Sequence, residues 1–228
     1  MECFAAAPLY AACGRRVGAC RLECALLGGS LATIVNDSRS WQAILDFWFG
    51  APGSPEYGQL RAAWFKASPD FDAEIRRRFS EQHARALNGA LAAWEKTPLS
   101  ALSLLILLDQ FSRNLYRGTP AAFAADPQAL AVARSVVAQG WDRDLVPVQR
   151  HFVYLPFEHA EDLGMQNESV RLFEQLGGDS QSKVAIDYAH RHHAVIERFG
   201  RFPHRNIILE RASTPEEIEF LQQPNSSF

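Results

Sequence analysis

From Ser40 onward the apolar residues recur at intervals of three and four, and no stretch keeps up the strict alternation of a half-buried strand. Trp41, Ile44, Leu45 and Trp48 make one stripe, and Phe71, Ile75, Phe79 and His83 make another at four-residue steps. The expected class is all-α, with about nine helices in antiparallel hairpins that build either a bundle or a tetratricopeptide-like stack. A repeat of about 34 residues with the tetratricopeptide pattern is not found, so any solenoid must be degenerate.

Starts and stops of these helices are written locally. Ser68-Pro69, Thr97-Pro98, Asp126-Pro127 and Thr214-Pro215 each read as an N-cap followed by proline at the first helical position, where the missing N–H costs nothing. Thr214 with Glu217 adds a capping box. Gly50, Gly118, Gly140, Gly177 and Gly200 stand where helices should end. Pro156 is expected to kink its helix or to make a new one start beyond it.

At 228 residues the chain is long enough for one sizeable core, and we expect a single helical domain over 39–228. Residues 1–38 carry no clear period and are expected to be an extension, disordered or not native, with Val35 a candidate for a misread start codon. All four cysteines, Cys3, Cys13, Cys20 and Cys24, fall in it, at spacings that fit zinc poorly. Arg15, Arg16, Arg21 and Glu23 break any signal-peptide core. A net charge of −3 argues against a nucleic-acid-coating protein, and the longest apolar run is cut short at Asp109, far below a membrane span. The expectation is a cytoplasmic protein with no membrane partner; nothing in the sequence sets its oligomeric state.

Three segments hold the polar residues that need partners. In LLDQFSRNLYRG, Asp109 follows five apolar residues, so its carboxylate requires compensation; Arg113 and Arg117 lie one and two turns on, as ion-pair partners or as anion ligands. In LPFEHAEDLGMQ, Glu158, His159, Glu161 and Asp162 follow Pro156, and His159 beside Asp162 is read as an acid–base pair. In YAHRHHAVIERFG, His192 shares its face with Val195 and Ile196 and should point inward, while His193 pairs with Glu197. RFGRFPHRN then turns at Gly200 and restarts at Pro203, placing His204, Arg205 and Asn206 at a helix start suited to anions. The alternative for Arg201 and Arg205 is neutralisation by Asp109, Glu161 or Asp162. No HExxH, repeated Glu-x-x-His, P-loop, GxSxG or GxGxxG pattern occurs, so neither a metal nor a cofactor is expected.

LLDQFSRN, LPFEHAEDL and RFGRFPHRN, with DFWFG near the start, resemble a bacterial family, domain-of-unknown-function family 924, over roughly Trp41 to Leu221. The resemblance implies an all-α, tetratricopeptide-like fold and supplies no activity. It singles out Asp109, Gln110, Arg113, Asn114, Arg117, His159, Glu161, Asp162, His192, Arg201, His204, Arg205 and Asn206.

The leading expectation is a polar pocket in which Arg113, Asn114, Arg117, Arg201, His204 and Arg205 bind a small anionic ligand. His159, Asp162 and Glu161 act as acid and base there, and Asp109, His192 and Asn206 pair or orient. Hydrolysis of a phosphate- or carboxylate-bearing substrate is the reaction class expected. The alternative is a scaffold that binds a peptide or protein, with the same ions serving architecture alone.

Overall fold

The computed structural model describes residues 41–228 except 179, 225 and 228. The expected extension up to residue 38, the Val35 start and the four cysteines lie outside the described residues. All regular structure among the described residues is helical. Helix α1 spans 41–49. It is followed by α2 (Pro69–Leu87), α3 (Pro98–Leu105), α4 (Ser112–Leu115), α5 (Asp126–Ala138), α6 (Pro147–Glu158), α7 (Leu163–Glu174), α8 (Ser180–Phe199) and α9 (Pro215–Leu221).

The caps act as the sequence indicates at three of the four expected starts. Ser68 Oγ accepts from the Phe71 amide at 3.4 Å, Thr97 Oγ1 from Ser100 at 3.4 Å, and Thr214 and Glu217 exchange the two bonds of a capping box. Asp126 is the exception. Helix α5 begins at Asp126 itself, the preceding Ala125 gives no side-chain cap, and the carboxylate is turned inward to arginines.

Helices α3 and α4 form one rod through a π-helical turn, Ile106–Phe111. Every residue from 100 to 112 is buried, which explains a segment that is apolar on all sides. Around this rod lie α1, α2, α5 and α6, joined by an aromatic cluster in which Trp48 meets Phe111 and Phe152, each at 5.6 Å between ring centroids. Helix α7 packs on α6 and α8 packs on α7, so consecutive helices are neighbours.

Proline 156 does not restart the helix. It lies in the last turn of α6, which runs on to Glu158, and the His159 amide still reaches the Leu155 carbonyl at 2.8 Å. Only one ladder bond is forfeited so close to an end. This places Glu158 and His159 at the tip of α6, facing the π turn. Gly200, with φ +67°, ends α8 in the left-handed conformation that other residues adopt only with strain. A second small cluster, Val195, Ile196 and Phe202 with Phe199 and Phe220, then anchors the following turn and α9.

Candidate functional site

Asp109 sits in the π-helical turn, only 1% exposed, and its carboxylate collects three donors. Oδ1 accepts from His159 Nδ1 at 2.8 Å and faces an Arg113 guanidinium nitrogen at 3.1 Å; Oδ2 accepts from Gln110 Nε2 at 2.6 Å. Burial alone pushes the Asp109 pKa up, but Arg113 and His159 outweigh it and hold the carboxyl well below the usual carboxylate range. An ionised acceptor at Nδ1 fixes the proton there and leaves the Nε2 lone pair of a neutral ring. Burial, followed by the Arg113 charge, lowers the His159 pKa although Asp109 opposes them, so the ring stays a free base. Nε2 has no hydrogen-bond partner among the described residues, and 14% of the side chain remains exposed.

The carboxylate paired with His159 is therefore Asp109, and not Asp162 as the local spacing suggested. Asp162 caps α7, accepting from the Met165 amide at 2.9 Å. In sequence order the two pairings look alike, but a residue three positions on lies in a new helix once α6 stops at Glu158.

Arg113 joins this pair to a second carboxylate. Its two terminal nitrogens reach Asp126 at 3.0 and 3.2 Å, and one of them also donates to the Asp109 carbonyl at 2.9 Å. Arg205 approaches the same Asp126 at only 3.5 Å. Its guanidinium lies over Phe123 and Phe202, 4.7 and 4.5 Å from their ring centroids, and its buried Nε has no hydrogen-bond partner. Burial and the nearby Arg113 charge lower the Arg205 pKa to about 10, still cationic at neutral pH. Most buried donors in folded proteins are satisfied, and among the unsatisfied side-chain atoms of the described residues this one belongs to a charged group.

Three imidazoles lie close enough to feel one another's charge. Burial drives His192 down to about 3, against the Tyr188 carbonyl that its Nδ1 meets at 2.8 Å. Burial first, then Arg205, lowers His204 to about 4. Glu158, 4% exposed, has its pKa raised to about 8 by burial and then by Asp109. Its Oε1 lies 3.3 Å from His192 Nδ1. With these shifts both are neutral at pH 7, so their contact is not an ion pair. A protonated Glu158 beside an unprotonated His159 offers an acid and a base on adjacent residues.

Other expected ligands lie elsewhere. Arg117 and Asn114 turn to Asp72 in the first turn of α2, at 3.0 and 2.7 Å, and tie α4 to α2. Arg201 is closed by a two-point pair with Glu217, at 2.6 and 2.8 Å, plus the Ala212 carbonyl. Glu161 receives Arg211 at 2.6 and 2.9 Å and the Phe202 amide at 2.8 Å, so its hydrogen bonds anchor a loop, and Arg201 pairs with Glu217 in its place. Asn206 bridges Ser213, Glu217 and Arg211. His193 meets Asn167 at 2.8 Å, where Glu197 was expected. The segment after Pro203 is a single 3₁₀ turn, Pro203–Arg205, too short to act as a helix dipole.

Asp126, Glu158, Phe123 and Phe202 belong to the cluster without having been assigned there by sequence. Asp126 had an adequate local reading as a cap, and its partners Arg113 and Arg205 are 13 and 79 positions away. Among the described residues no group of three or more His, Cys, Asp or Glu side chains could hold a metal. A cavity of about 180 Å³ is lined by Leu60, Val148, His151, Leu176 and Ala185 among others, and by none of the charged cluster.

No curated protein matches the chain. A solved structure of a protein of unknown function from Agrobacterium tumefaciens is 37% identical, with a TM-score of 0.73 over 82% of this chain and 99% of that one. A family model matches residues 44–225, taking in every residue of the cluster, and the chain therefore belongs to the family described as bacterial protein of unknown function (DUF924).

Proposed function

We propose that the chain binds a small anion at Arg205 and performs acid–base chemistry on it through His159, with hydrolysis of a phosphate- or carboxylate-bearing substrate as the reaction. One observation carries this reading: Asp109 holds His159 Nδ1 at 2.8 Å and leaves Nε2 without a partner among the described residues, while Arg113 links that pair to Asp126, the carboxylate that Arg205, with its own buried Nε unpaired, also approaches. In the reaction, Nε2 takes a proton from water as the water oxygen bonds to the substrate's carbon or phosphorus. Asp109 stabilises the imidazolium, and the Glu158 carboxyl gives its proton to the departing group.

A thermal-shift panel of phosphorylated and carboxylated metabolites tests the reading on the unaltered chain and on Arg205→Ala, His159→Ala and Arg201→Ala. The expected result is a stabilising anion whose effect is lost in Arg205→Ala, weakened in His159→Ala and kept in Arg201→Ala, since Arg201 faces Glu217. A panel with no response, together with a strongly destabilised Arg205→Ala, overturns it.

The serial packing of α6, α7 and α8 supports a second reading, a tetratricopeptide-like scaffold for a peptide or protein in which the ions only hold the stack. On that reading the Arg205 and Arg201 variants lose stability alike and no small anion stabilises any form.

A further inference from the structure

We infer that the ligand of this site is a small monocarboxylate, and that Asp126 sets the preference against dianions; the inference rests on the anion-site reading above. Arg205 uses one terminal nitrogen, at 3.5 Å from Asp126 Oδ2, and leaves its Nε and its other terminal nitrogen without hydrogen bonds to protein. That free edge presents two parallel N–H donors, the spacing a carboxylate's two oxygens fit. With Phe123 at 4.7 Å and Phe202 at 4.5 Å from the guanidinium, approach is left to its edge, which suits a planar group better than a tetrahedral one.

Charge points the same way. Arg113 and Arg205 face Asp109 and Asp126, and Glu161 is matched by Arg211, so the cluster is already balanced. Asp109 is 1% exposed and the Arg205 side chain 8%, so water screens little there. A single added negative charge can pair with the unbonded edge of Arg205, whose Nε is buried without a partner. A second one meets the Asp126 and Asp109 carboxylates with no unpaired cation to offset it.

The test is titration calorimetry of the full chain at pH 7 and constant ionic strength, with propionate and sulfate as probes. Propionate should bind at least about tenfold more tightly than sulfate. Asp126→Asn, which removes the competing charge, should shrink that ratio, whereas Asp126→Glu should preserve it. Sulfate binding as tightly as propionate in the unaltered chain overturns the inference and leaves the anion site standing. If Asp126→Asn does not fold, the ratio in the unaltered chain still decides the ligand class, and Asp126→Glu still decides whether the charge is what matters. Absence of binding by either probe, with the chain folded, defeats both the inference and the reading beneath it.

Discussion

Asp109 is the residue on which most of the site depends, because a guanidinium, an imidazole and an amide converge on a carboxylate that is almost wholly buried. Asp109→Asn keeps the shape but leaves Arg113 with Asp126 as its one carboxylate and releases His159. Removing one partner of a buried charge pair typically costs about 3–5 kcal/mol, and denaturant unfolding should show a loss of that order. Glu158 works in the opposite sense. Its folded pKa, about 8, stands above the ordinary carboxyl value, so the unfolded chain releases its proton first and the penalty for burying Glu158 grows as pH rises from about 4.5 to 8. Glu158→Gln removes that penalty. Its melting temperature relative to the unaltered chain should rise steadily across this window and level off above it; a constant difference from pH 5 to pH 8.5 contradicts a neutral Glu158.

Among the elements, the α8 terminus and α9 are held by ions that the sequence displays but does not pair. Arg201 and Glu217 lie 16 positions apart, and the Glu217 carboxylate, lowered to about 2 chiefly by the Arg201 hydrogen bonds, also closes the α9 capping box. Arg201→Ala should therefore speed amide exchange in α9 and leave anion binding intact. Gly200→Ala acts on the turn itself. The added methyl meets open space, so only the φ of +67° opposes it, and the expected loss is about 1–2 kcal/mol in unfolding free energy. Local signals of this kind were readable in advance: caps at Ser68, Thr97 and Thr214, glycine stops, and the all-buried rod. Pro156 and Asp126 were not, because each had a sound local reading that tertiary partners overrode. The π turn likewise has no one-residue signature, yet it carries Asp109 toward the tip of α6.

At the scale of the molecule, the class and the helical layout follow from periodicity, whereas the site depends on contacts between α6, the π turn, the start of α5 and the Arg205 turn. Spacing along one helix could find Asp109 with Arg113; it could not find Asp109 with His159, which is 50 positions distant. The same long-range burial sets the response to acid. His151, His192 and His204 have folded pKa values of about 4, 3 and 4, each depressed mainly by burial. A depressed histidine lets the unfolded chain take up protons first, so the contribution of these three is full above about pH 6.5 and falls as pH drops toward 4, outweighing the single opposing Glu158. Melting temperature against pH should decline through that interval, before the carboxylates titrate.

The central claim is that His159 is a neutral base, with its proton on Nδ1 against Asp109 and its Nε2 bare. A long-range ¹⁵N–¹H correlation spectrum of the full chain carrying ¹⁵N-histidine, assigned with His159→Ala, reads this directly at pH 7. The account predicts a protonated Nδ1 and an unprotonated Nε2 whose shift moves when propionate is added. A protonated Nε2, as the other tautomer or as imidazolium, would contradict it.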